Sequence, residues 1–239
     1  LLDGGWGSTS LEPEGTIEWF DKDGIVLDKG MGEFNKHGND SWAYDQRGFD
    51  YIMRDQFGYN YALKDKLFMT KNRDKFQRVI VKAAANDNYP FSYGGSGAHI
   101  RDAYVNHLSQ LAGLRLDERS TTSCIVYLDG DYWGVYEMRE KVDDHDFTDY
   151  YYDQDKNNLQ YLKTWGGTWT EYGAPNAQPD WDNFVNFVTT NPMVVPANYN
   201  TAKSEYNTGS LIDYFLLNSY VVCADWLNWN TAWWRGMDP

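Results

Sequence analysis

The sequence predicts an α+β protein with a β-rich N-terminal lobe and a mainly helical C-terminal lobe. Three observations carry this. Period-two candidate strands fill the first ninety positions, apolar residues recur at helical spacing after residue 175, and one further helical stretch separates two sets of strands. The expected division is a β-rich lobe over 1–172 and a helical portion over 173–239, both within a single domain.

Thr16–Phe20 alternates, Asp21-Lys-Asp-Gly24 supplies a turn, and Ile25–Leu27 resumes the strand. Arg47–Arg54 and Phe76–Lys82 are two further strands, the second rich in β-branched residues. Asn86–Gly97 is dense in Asn, Pro, Ser and Gly and reads as loop. Ile100, Tyr104, Leu108 and Leu111 then mark one face of a helix that ends by Gly113. Cys124–Leu128 and Tyr132–Met138 flank the favoured Asp129-Gly130 turn dipeptide, the clearest hairpin in the chain. Leu159–Lys163 is a shorter strand running into Gly166-Gly167. Trp181, Phe184, Val185 and Val188 mark a helix that Asp180 is placed to cap. Ser210 and Asp213 resemble the start of another, followed by Leu211, Phe215, Ser219 and Val222.

Composition narrows the function. The 239 residues carry a net charge of −14, with 42% hydrophobic and 23% charged residues. That balance suits a globular chain and offers no general attraction to phosphate backbones or anionic lipid, so nucleic-acid binding is not expected. No apolar run approaches the roughly 18 residues of a membrane span, so membrane insertion is not expected either. Cys124 and Cys223 make at most one bridge. Aromatic residues reach 17%, a composition suited to work outside the cell and equally to a core that needs bulky filling. The first and last residues read as those of a fragment of something longer.

Four constellations are candidates for chemistry. Asp225-x-x-x-x-Asn230 has the spacing at which protein kinases place a proton-accepting aspartate and a metal-holding amide. A polar loop pinned by Trp226, Trp229, Trp233 and Trp234 explains the same residues. Glu137 and Arg139 share one strand face, with Glu140 on the other; a charged edge and a glutamate that orients a phosphate-gripping cation are the two readings. Tyr93-Gly-Gly-Ser-Gly97 leads into a helix carrying Arg101, suited to an anion or to a plain connector. Val79-Ile-Val-Lys82 is superficially similar to the kinase lysine strand, but no Gly-rich loop of the kinase pattern precedes it, and the match carries little weight.

Several segments together resemble the spore-coat protein H (CotH) kinase-like family, over roughly residues 35 to 235. They are Asn39–Gly48, His99–Tyr104, Val126–Asp143 with its Gly134-Val-Tyr-Glu-Met-Arg-Glu-Lys141, and Leu211–Tyr220 before Asp225-Trp226. The resemblance implies an atypical protein-kinase fold in a secreted or surface protein, transferring phosphate from ATP to Ser/Thr of a protein partner with Mg²⁺. It implies Asp225 as the catalytic aspartate, Asn230 as the metal-binding amide, and Glu140, with Glu137 as fallback, as the glutamate beside a phosphate-gripping cation. Arg47 and Arg101 are the implied phosphate contacts. Two departures accompany it. Asp45-Gln-Arg-Gly48 stands where many members carry a Pro-Lys-Lys-Ser-like run, and Pro239 precedes the Trp-Asp-x-Asp-like segment that supplies a second metal-binding aspartate. The domain is therefore expected to be truncated at its C-terminus. A surface adhesion or scaffolding module of the same fold without turnover is the alternative, and a glycan-binding module ranks behind it.

Overall fold

Alternation in the first half of the chain produces a sheet buried on two chemically different faces. The computed structural model describes residues 12–38, 40–58, 60–88, 97–142, 145–155 and 157–238. They form β1 (Glu14–Phe20), β2 (Val26–His37), β3 (Gly48–Met53), β4 (Arg78–Lys82), α1 (Arg101–Ala112), β5 (Thr121–Leu128), β6 (Asp131–Glu140), α2 (His145–Tyr152), β7 (Leu159–Trp165), β8 (Gly167–Gly173), α3 (Ala177–Thr190), α4 (Pro196–Glu205), α5 (Thr208–Tyr220) and β9 (Thr231–Gly236). The fold is α+β. The chain divides into two compact units, one of residues 1–110 and 118–144, the other of 111–117 and 145–239.

In the first unit six antiparallel strands lie in the order β1-β2-β3-β4-β6-β5, and α1 enters the chain between β4 and β5. Phe49, Tyr51, Met53, Val79, Val81, Tyr136 and Met138 alternate onto one face and form its buried core with Leu63, Phe68 and Phe76. Gly32 stands opposite Met53, where any Cβ would meet the Ile52 carbonyl oxygen at 2.1 Å, so the β2–β3 contact requires glycine. The β5–β6 hairpin turns through Asp129 and Gly130, both at positive φ (51° and 90°), the conformation the Asp-Gly pair favours.

The second unit has its own antiparallel sheet, ordered β8-β7-β9. Strands β7 and β8 thus pair within it, and the division between units falls at 144/145. The aromatic run at Trp233-Trp234 is strand β9. Its Trp233 stacks on Trp181 of α3 at 5.2 Å, and Tyr206 stacks on Phe184 at 5.6 Å. Two capping expectations are corrected. Asp180 lies inside the first turn of α3, where it accepts from Gln160 Nε2 (2.7 Å) and Arg235 Nη2 (3.0 Å), while Asn176 is the cap residue. Asn207 caps α5 by accepting from the Ser210 amide at 3.1 Å. Both thiols, Cys124 and Cys223, are free. No helix among the described residues is long and apolar enough to cross a membrane.

Asp213 is the buried residue of α5, facing inward because Arg115 grips it. The Arg115 amide donates to Oδ2 at 2.8 Å, its Nε to Oδ2 at 2.7 Å and its Nη2 to Oδ1 at 3.0 Å. These bonds hold the Asp213 carboxyl down at about 2, against an ordinary 3.8. A depressed carboxylate contributes stability above its unfolded value and loses it as pH falls through the folded one. The contribution is therefore complete above 3.8 and lost toward pH 2. Thermal melts between pH 5 and pH 2 are expected to show a flatter dependence for Asp213→Asn than for the native chain.

Candidate functional site

The second face of the six-stranded sheet carries charge. Register places Asn35 opposite Asp50, Asp50 opposite Ile80, Ile80 opposite Arg139, and Lys82 opposite Glu137. Asp50, Glu137 and Arg139 are almost wholly buried there. Asp50 is met by His37 Nδ1 at 2.7 Å, Arg78 Nε at 3.0 Å and Lys141 Nζ at 3.3 Å. Burial pushes its carboxyl up, but His37, Lys141 and Arg78 outweigh that and hold it well below the carboxylate range.

Beside this cluster is a second one, formed where β4 meets the helix that follows it. Lys82, the last residue of β4, donates from Nζ to Asp102 Oδ2 at 2.9 Å; Asp102 is in the first turn of α1. Arg139 of β6 donates from Nη1 to the same oxygen at 2.9 Å, and its other edge is held by Glu137, with Nε to Oε2 at 3.0 Å. Burial lowers the Lys82 pKa, Asp102 opposes that, and Arg139 adds to it. A lysine on a sheet strand, paired with an acid on the next helix, is the arrangement with which protein kinases hold nucleotide phosphates. Sequence reasoning set Lys82 aside for want of a Gly-rich loop and did not single out Asp102. The available signal was an acid in the first turn of the helix after the lysine strand.

The cofactor-binding candidates are placed as follows. Glu137 pairs with Arg139 within the charged layer. Glu140 points to the other side, fully buried, and is shared by Lys71 Nζ and Arg73 Nη1, each at 3.2 Å. Neither glutamate is the acid on Lys82. Arg47 donates from Nε to the Trp42 carbonyl at 3.0 Å and lies over the Trp42 ring at 5.9 Å. Arg101 opens α1, with Nε 3.0 Å from Asp87 Oδ1. Asp87 also accepts from the Ala98, Ile100 and Arg101 amides, fixing the helix start. Residues 93–96 of the Gly-rich connector lie outside the described residues.

In the second unit the structure brings Asp225 and Asn230 together. Both are exposed on the loop between α5 and β9, and Asn230 Nδ2 donates to Asp225 Oδ2 at 2.8 Å. The loop is pinned immediately after Asp225. Trp226 packs on Tyr214 and Phe215 of α5 at 5.9 and 5.3 Å, the Leu227 amide donates to the Tyr214 hydroxyl, and Trp229 packs on Trp165 at 5.0 Å. Leu227 and Asn230 have positive φ, which folds the five-residue spacing into a contact.

These donor sets fit the groups that a kinase uses. Among the described residues no cluster of three or more His, Cys, Asp or Glu could cage a metal. Mg²⁺ does not need one, since one or two protein oxygens plus nucleotide phosphates hold it. The Asp225 carboxylate and Asn230 amide offer such oxygens, and Lys82 is a partly accessible cation suited to phosphate. Glu140, by contrast, is positioned as a core ion. Glu140→Ala is expected to destabilise the first unit by about 3–5 kcal/mol, because it takes the carboxylate from two desolvated cations. Urea unfolding measures this; a loss under about 1 kcal/mol would refute the structural role.

Comparison with known proteins agrees with this reading at the level of family. No curated protein matches the chain. The family of CotH kinase proteins matches residues 35–239. The match spans both units, including the Lys82–Asp102 pair and the Asp225–Asn230 loop. The chain belongs to the CotH kinase family, a kinase-like family whose general implication is the use of ATP and a metal ion.

Proposed function

We propose that this domain is an atypical protein kinase, transferring the ATP γ-phosphate to a Ser or Thr hydroxyl of a protein partner. The observation that carries the reading is the Lys82–Asp102 ion pair between β4 and α1. Lys82 would steady the phosphates, and Asn230 would hold Mg²⁺. ATP, when bound, supplies the phosphoryl group, and Mg²⁺ neutralises charge on its oxygens. Asp225 orients the acceptor hydroxyl and takes its proton as the oxygen–phosphorus bond forms and the bond to the departing ADP breaks. The protein's share is positioning and electrostatic stabilisation. The aromatic-rich, acidic composition supports a secreted or cell-surface setting.

Calorimetry of ATP binding with and without Mg²⁺ tests the nucleotide half of this reading. Metal-dependent binding that weakens about tenfold or more in Lys82→Met is the expected result, a loss near 1.4 kcal/mol. Absence of binding under both conditions would leave a surface scaffold of the same fold. The chemical half is tested on the full-length protein with labelled ATP. Asp225→Asn is expected to lower phosphate transfer roughly 100- to 10,000-fold while ATP still binds. Undiminished transfer would remove Asp225 from its role.

A further inference from the structure

We infer that β5 is a self-association edge: two copies of this chain pair antiparallel through Thr121–Leu128 about a twofold axis at Cys124, joining their six-stranded sheets into one. The inference goes beyond the kinase reading and does not depend on it. Among the described residues, β1, β5, β8 and β9 stand at sheet edges. Edge strands present unpaired amides and carbonyls, and proteins guard them with charge or proline. Strand β1 carries Glu14 and Glu18, β8 carries Glu171 and β9 carries Arg235. Strand β5, eight residues long, carries neither charge nor proline and pairs only with β6 among the described residues.

Both faces of β5 restrict what fits beside it. On the core side Cys124 and Val126 are partly buried at the margin of the cluster of Phe49, Val81 and Tyr136. On the other side Ile125 and Tyr127 are 59% and 60% exposed, and their opposite residues on β6, Val135 and Tyr132, are exposed as well. A strand that docks here is therefore uncharged and apolar on both faces, and β5 is itself such a strand. A net charge of −14 opposes self-association, which favours contact through a stretch where no like charges meet. Opposed residues of a continuous sheet share a face, so a twofold antiparallel pair must set one residue opposite itself. With Cys124 on the axis, Thr121 pairs with Tyr127 and Thr122 with Val126 of the second copy. The same register brings Asp129, just past β5, level with Arg119, just before it, at both ends of the pair. With Ile125 on the axis, Asp129 would instead meet Thr121, so charge selects Cys124.

Sedimentation equilibrium of the full-length protein tests this. One strand pair is a small interface, so a dissociation constant on the order of micromolar is expected. Ile125→Lys alters an exposed side chain and counts twice by symmetry, setting two ammonium groups diagonally across the axis. It is expected to weaken dimerisation about tenfold or more, while circular dichroism shows the fold intact. Copper–phenanthroline oxidation of Cys223→Ser is expected to bridge Cys124 of one copy to Cys124 of the other, as identified by peptide mass spectrometry. Opposed Cα atoms about 4.5–5.5 Å apart are within disulfide reach. The oxidation is run at alkaline pH, because burial pushes the Cys124 thiol up to about 11. A protein that stays monomeric up to about 1 mM would overturn the inference and leave the edge to a foreign strand. A dimer that Ile125→Lys does not weaken, or that never bridges through Cys124, has its interface elsewhere and would overturn it too. If Ile125→Lys unfolds, Tyr127→Lys decides on the same measurement, a tenfold loss supporting the inference and a native constant overturning it.

Discussion

Burying charge on one side of a sheet is costly, and the first unit depends on having solved that problem. A desolvated ion loses several kcal/mol unless partners replace its water, and an unmatched one is worse. On β3, β4 and β6 every second side chain enters this layer. The solution is alternation of sign: Arg78 and Lys141 around Asp50, Lys82 and Arg139 around Asp102, and Glu137 behind Arg139. The opposing energy comes from the alternate positions. Val79, Val81, Tyr136 and Met138 are buried on the other face, each worth about 1.5–3 kcal/mol. One face stabilises the sheet, and the other is free to be electrostatically specialised.

That specialisation has a use. Charges held by rigid strands and a helix do not reorganise when an anion arrives, so their field is already in place. In a chain of net charge −14 the charged layer is where a local cationic group can exist without being lost in the general negative field. Lys82 stands at the end of β4, less buried than Arg139 and Glu137 and beside the more exposed Asp102 carboxylate.

Much of the fold was legible because its signals are local. Alternation and β-branched content located β1, β3 and β4 and only the first residues of β2, the Asp129-Gly130 pair located the β5–β6 hairpin, and 4-4-3 spacing located α1. What was missed depends on distant partners. Strand β9 reads as an aromatic run, because its strand character comes from pairing with β7 some seventy residues earlier. Asp180 and Ser210 look like caps in isolation, yet Asp180 is drawn to Arg235 and Gln160, and Asn207, three residues before Ser210, is the residue that caps α5. The acid on Lys82 was obscured in the same way. Glu137 and Glu140 sit in one family-like segment and Asp102 in another, and only the folded chain shows that the side chain reaching Lys82 is the one on the helix twenty residues along.

The Asp225–Asn230 loop shows how a weak spacing signal gains meaning. Five residues of separation imply nothing about contact in an extended chain. Here Leu227 and Asn230 take left-handed backbone conformations, and asparagine is one of the few residues that tolerate this readily. Asn230 thus has a backbone reason to be asparagine that is independent of any metal. Its side chain adds the second reason, since the amide turns its nitrogen to Asp225 and leaves its oxygen to other partners. The carboxylate is likewise left with one oxygen not used by that bond. A turn residue selected only for conformation would have no need to meet the one acid in the loop, and it is this coincidence of backbone and side-chain demands that separates the pair from chance spacing.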